Sequence, residues 1–106
     1  MANTYVNAKV DLTTTSITTL YTCAASTTGI VKSILVSEDS GNADTITLTI
    51  TSGSDVFSLF KTKAVSANNT LELLSAPLIV QAEEILKVTA ATANRLHVVA
   101  SILEVT

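Results

Sequence analysis

From Thr45 to Thr51 the chain alternates without a break between threonine and a large aliphatic residue, Ile46, Leu48 and Ile50 taking the even positions. A period of two puts successive side chains on opposite faces of an extended strand, so this segment predicts a β-strand with an apolar face and a neutral polar one. Nowhere do apolar residues recur at helical spacing with good helix formers between them, and no helix is predicted. The remaining rhythm is strand, turn, strand, with segments at 5–12, 16–23, 30–38, 44–51, 55–61, 69–74, 77–80, 85–90 and 95–105. Between them lie clusters of turn-forming residues: Ser26–Gly29, Glu38–Asn42, Ser52–Asp55, Ser66–Asn69, Ser75–Pro77, Gln81–Glu84 and Ala91–Asn94. Such short, regular spacing predicts an all-β fold, a single antiparallel β-sandwich (jelly-roll or Ig-like) of about eight short strands. The linker Ser52-Gly53-Ser54-Asp55 is short and contains glycine, so the strands on either side of it are predicted to form a hairpin.

Two segments depart from clean alternation. In 95–105 the even set is Leu96, Val98, Ala100 and Ile102, while the odd set includes Val99, Leu103 and Val105; the run Ile30 to Val36 is similarly apolar on both sides. In an antiparallel protein a doubly apolar strand is either covered on its second face or part of an interface. Leu35, Val99, Leu103 and Val105 lie off the main alternation and are the candidate contact residues, with Thr45, Thr47 and Thr49 as a neutral flank. If the strand phase is reversed, Ile34, Val36, Val98 and Ile102 become the exposed set.

Composition sharpens this picture. The 106 residues suit one domain, with no material for a second core, and are enough to bury roughly 60–70% of the surface of the unfolded chain. Charged residues make up 14%, against about 25% in an average soluble domain, so part of the surface is expected to be covered by copies of the chain or by a partner. The 18 threonines keep the exposed strand faces neutral. Net charge is −3, and the six cations are scattered, which leaves no basic patch for nucleic acid. Lys61 and Lys63 alone stand close together and read as charges that discourage unwanted strand pairing. The start, Met1 to Tyr5, has neither a basic region nor an apolar run, and no apolar stretch is long enough for a helical membrane span, so neither a secretory signal nor a membrane is expected.

Candidate chemistry is sparse. His97 is the sole histidine and sits between Leu96 and Val98 in a strand, a place for a packed or hydrogen-bonded residue rather than a catalytic base. Cys23 is the sole cysteine, which excludes an internal disulfide and a multi-cysteine zinc site; it reads as a small buried hydrophobe. The pairs Glu38/Asp39 and Glu83/Glu84 fall in predicted loops and read as solvated charge. Asp39 to Asp44 gathers oxygen ligands but lacks the spacing of a calcium loop, and the three glycines are isolated turn residues, not a phosphate cradle. Sugar sites usually stack on exposed aromatics; this chain has no Trp, and Phe57 and Phe60 are expected in the core, leaving Tyr5 and Tyr21. No catalytic, cofactor or metal site is predicted, and the chain is not expected to be an enzyme.

A family resemblance adds to this reading. The ordered elements Leu20-Tyr21-Thr22, Thr27-Thr28-Gly29-Ile30-Val31-Lys32-Ser33-Ile34, Ser40-Gly41-Asn42, Asn69-Thr70-Leu71-Glu72-Leu73-Leu74 and Leu86-Lys87-Val88-Thr89-Ala90 resemble small β-sandwich virion proteins of tailed bacteriophages, over about residues 18–105. One departure is Glu83-Glu84, where such proteins commonly carry a glycine or aspartate turn. The resemblance implies a non-enzymatic structural virion protein made in the host cytoplasm: a capsid decoration or cement protein that stabilises the shell by apolar contacts and by strand addition at sheet edges through the N-terminal strand 5–12, or else a neck, tail or fibre accessory subunit, with a receptor- or sugar-binding module as a further alternative. It also implies partners, namely further copies of the chain in a homotrimer and the major capsid protein or other virion proteins.

Overall fold

The computed structural model describes residues 2–106 and contains nine strands: β1 (Asn3–Asp11), β2 (Thr18–Thr22), β3 (Thr28–Glu38), β4 (Asp44–Ser52), β5 (Asp55–Val65), β6 (Thr70–Glu72), β7 (Leu78–Val80), β8 (Ile85–Ala90) and β9 (Leu96–Val105). They form two antiparallel sheets, so the predicted all-β sandwich is what the chain adopts. One sheet runs β1-β9-β3-β6 with β7 also paired to β3; the other runs β2-β8-β4-β5. Strands β6 and β7 pair with successive stretches of β3, Leu35–Ser37 and Gly29–Val31, and act as one interrupted edge strand. Counted that way there are two four-stranded sheets, and every connection crosses between them except β4 to β5, which is jelly-roll connectivity. The sequence left jelly-roll and Ig-like topologies open; this pairing order selects the first.

The hairpin among the described residues is the one the sequence marks. Ser52 pairs with Asp55, leaving Gly53 and Ser54 as a two-residue loop. Gly53 has φ of 63° at the first central position, the requirement of a type II′ turn, whose twist matches the strands it joins. Strand β5 runs on to Val65, beyond the predicted end at Lys61, because its register with β4 shifts at two bulges and Thr62 takes φ of 51° to continue the pairing.

Between the sheets lies a core of aliphatic side chains that includes Val31, Ile34, Val36, Ile46, Leu48, Leu86, Val88, Leu96, Val98 and Ile102, all buried. The strand phase is therefore the one first read: Ile34, Val36, Val98 and Ile102 face inward. Cys23 is buried as expected, its thiol donating to the Thr27 carbonyl. Phe60 packs against the core, but Phe57 does not stay covered: it points inward by register yet lies at the end of the edge strand, where nothing caps it.

Glu38 corrects the reading of a solvated loop charge. It is the last residue of β3, 2% exposed, and its carboxylate accepts from the backbone N–H groups of Ser40 (2.8 Å), Gly41 (3.1 Å), Asn42 (3.2 Å) and Asn68 (3.1 Å) and from the Ser40 hydroxyl. Burial raises its pKa, but these donors outweigh that and bring it down to about 2. The oxygen-rich turn at 39–42 is thus organised around a carboxylate of the chain itself. Glu72 plays a related part where the edge strand breaks. Its carboxylate accepts from the Ile34 N–H (2.8 Å), the Leu74 N–H (3.2 Å) and the Ser33 hydroxyl, beside the backbone bond that the Leu73 N–H donates to Ile34 O (2.9 Å). Here too burial acts upward and the donors prevail, so its pKa is lowered.

Candidate interaction surface

Register places the outward side chains of the β1-β9-β3 sheet in rows that cross the strands. One row is Tyr5, Leu103, Ile30 and Ile79, apolar across the full width of the sheet. Tyr5 is 77% exposed and Ile79 49%, while Leu103 and Ile30 between them are half-buried. A second row is Lys9, Val99, Leu35 and Glu72, with Leu35 at 40% and Val99 at 39% exposure. Between them runs a polar row of Asn7, Ser101 and Ser33. With strands about 4.8 Å apart, each four-residue row is roughly 14 Å long. The alternation that buries one side of β3 and β9 thus leaves aliphatics on the other, where a monomeric sheet would ordinarily carry polar residues.

Of the seven residues singled out from the sequence, Leu35, Val99, Leu103 and Val105 all point outward on this face. Thr45, Thr47 and Thr49 do not flank them. They project from β4 on the opposite sheet, where Thr47 faces Thr89 and Thr49 faces Lys87. A strand's sheet membership is set by long-range pairing, which one-dimensional alternation does not encode. Tyr5, Ile30 and Ile79 were missed. Their signal was present, Ile79 inside the unbroken triplet Leu78-Ile79-Val80 and Tyr5 in the odd set of its strand, but only the register aligns them with Leu103.

Two shallow grooves follow the β1–β9 boundary. One, of about 390 Å³, is lined by Tyr5, Val6, Asn7, Lys32, Ser101 and Ile102, so Lys32 reaches from β3 across β9 toward the edge strand. The other, of about 230 Å³, lies beside Lys9, Val99 and His97. His97 is on the outer face, its Nε2 3.1 Å from Asp11 and its Nδ1 3.7 Å from Asp39. Both ring nitrogens thus face carboxylates, an arrangement that holds the ring and closes the lower end of the sheet. Cys23, the sole thiol, lies apart from it in the core.

Tyr21 fixes the inner face of this region. Its hydroxyl donates to the carboxylate of Glu104, and burial first, then this hydrogen bond, raises its pKa well above the usual phenol range. The ring lies over Gly29, where an added Cβ would meet Tyr21 Oη at 3.0 Å and Cε2 at 3.1 Å.

No family model matches the chain, and no curated protein matches it. Two solved structures of a pentameric capsid protein isolated from metagenomic phage sequences align with it. The first is 20% identical with a TM-score of 0.48, covering 93% of this chain and 59% of that one. The second, solved by iodide SAD phasing, is 21% identical with a TM-score of 0.46, covering 93% and 60%. The chain therefore spans about three-fifths of the length of either protein. Likeness of this degree transfers no function from one chain to the other.

Proposed function

We propose that this chain is a non-enzymatic structural protein of a tailed-phage virion, a decoration or cement subunit that seats the outer face of its β1-β9-β3 sheet on the shell. The observation that carries the reading is the pair of apolar rows, Tyr5–Leu103–Ile30–Ile79 and Val99–Leu35, on a sheet face with no layer of its own chain described above it. A charge-poor jelly roll with a partly apolar outer face suits binding by shape and burial, and the sequence resemblance to virion proteins supplies the setting. The trimer that the resemblance implies belongs to the shell-bound state of this reading.

The test is binding to particles of the encoding phage from which accessory proteins have been stripped. The wild-type protein is expected to co-sediment saturably and to raise the temperature at which particles rupture. Exposed anchors of this size contribute on the order of 2 kcal/mol each when buried, so Tyr5→Ser with Ile79→Ser should weaken binding by about a hundredfold or more. No binding to stripped shells, or binding indifferent to both changes, overturns the assignment. A second reading draws on the groove at Tyr5, where an exposed aromatic adjoins Asn7, Ser101 and Lys32, the elements of a small sugar site on a neck, tail or fibre subunit. Selective hits on a glycan array that vanish with Tyr5→Ser would favour it.

A further inference from the structure

The two sheets have four edges among the described residues, and three are blunted. Strand β2 is five residues long with a register shift between Thr19 and Tyr21. Strand β5 is bulged twice and carries Lys61 and Lys63. The β6/β7 edge is broken by residues 73–77, with Pro77 in the gap. These are the usual devices against edge-to-edge pairing. Strand β1 is neither short, bulged nor broken, and carries one exposed lysine, Lys9. All nine of its residues pair with β9 in one unbroken register, and among the described residues nothing pairs with its other side.

The hydrogen-bond phase of β1 shows what that side offers. The Leu12 N–H donates to Leu96 O and the Thr106 N–H to Ala2 O, each at 3.0 Å, so the even-numbered residues of the first strand exchange bonds with β9. In an antiparallel ladder the alternate residues then direct their N–H and C=O groups the other way. Asn3, Tyr5, Asn7 and Lys9 therefore present a row of unpaired donors and acceptors. Their side chains lie on the outer face, while Val6, Ala8 and Val10, half-buried, form the rim of the core.

We propose that the occupant of this edge is the β1 strand of a second copy of the chain, paired antiparallel about a two-fold axis through Asn7. The strand is its own complement in that register. Asn3 lies opposite Asp11 of the second copy, Tyr5 opposite Lys9, and Asn7 opposite itself, so no like charges meet and the exposed Tyr5 ring is covered by a lysine stem. On the inner side Val6 meets Ala8 and Thr4 meets Val10, which continues the apolar rim of one sandwich into the other. All nine residues overlap, although the Asp11 carbonyl already accepts from the Thr13 N–H (2.9 Å); a shift of two in either direction gives up backbone bonds at both ends. The product is isologous and closed, two four-stranded sheets joined into one of eight. An edge contact of this kind falls in the small, reversible class of interfaces. The pairing does not depend on the virion reading.

Light scattering on the eluting protein, from about 10 μM to about 1 mM, is expected to show a monomer passing into a dimer. Over the same range amide hydrogen exchange at Asn3, Tyr5, Asn7 and Lys9 should slow with concentration, while exchange on β5 should not. Asn7→Pro removes a donor that faces away from β9, so the fold and melting temperature should hold while the dimer weakens about thirtyfold, two reciprocal bonds being lost. Tyr5→Glu supplies the decisive sign. It places carboxylates opposite both Lys9 residues, so the dimer should hold or tighten even as binding to shells is lost; association through the apolar outer face would weaken instead. A monomer or a trimer at about 1 mM, or a dimer indifferent to Asn7→Pro, overturns the proposal.

Discussion

Replacing Gly29 by alanine tests the packing of Tyr21 with an unusual sign. Glycine in a strand ordinarily weakens it, and Gly→Ala at a compatible site stabilises by about 0.4–1 kcal/mol through the unfolded chain. Gly29 has no left-handed backbone conformation to protect, so that gain would apply here. Against it stands the contact made by the new methyl, at 3.0 Å from Tyr21 Oη and 3.1 Å from Cε2. The ring cannot simply swing away, since it is buried and its hydroxyl is held by Glu104. Overpacking of this kind costs about 1–3 kcal/mol, so Gly29→Ala should destabilise by about 1–2 kcal/mol net. For a domain of this size that is a fall in melting temperature of roughly 4–10 °C, readable by calorimetry or circular dichroism. Combining it with Tyr21→Phe removes the nearest clashing atom, and the double variant should be less destabilised than the sum by at least about 0.5 kcal/mol. A rise in melting temperature for Gly29→Ala, or strict additivity in the cycle, would refute the packing argument.

Other variants probe the remaining parts of the fold. The folded-state pKa of Glu38 is lowered to about 2 from an ordinary 4.5, so its contribution to stability is complete above about pH 4.5 and is lost as pH falls toward 2. Urea melts across that window should show stability declining with acid in the wild type and a shallower decline in Glu38→Gln. The Thr51 hydroxyl is buried and meets no hydrogen-bond partner among the described residues, so Thr51→Val should stabilise by about 1 kcal/mol, raising the melting temperature by about 4 °C. Leu48 is fully buried between the sheets, and Leu48→Ala should cost about 2–5 kcal/mol with an unchanged urea slope.

The doubly apolar strands point to a contact face on β3 and β9, and Leu35, Val99, Leu103 and Val105 do project to one side of that sheet. Glu38 was misread because a charged residue beside a turn is solvated in most chains. Its burial follows from Asn68, 30 residues away, folding back onto it and donating a backbone bond. The pairing of His97 with Asp11 and Asp39 has the same origin, since strand register and a loop bring those carboxylates to the ring.

By itself the chain's alternation determined that it would form strands, which side of the threonine-alternating strand β4 would be buried, and where the tight hairpin would fall. These are local consequences of a two-residue period and of glycine's freedom at a single turn position. Only the tertiary structure decided which sheet each strand joins, and hence that the threonines of β4 lie opposite the apolar rows instead of beside them. It also decided the jelly-roll order, the alignment of Tyr5, Leu103, Ile30 and Ile79 into one row, and the unbroken edge that β1 leaves open among the described residues. Pairing partners lie tens of residues apart, and nothing in a local period specifies which of several similar strands a given one will meet.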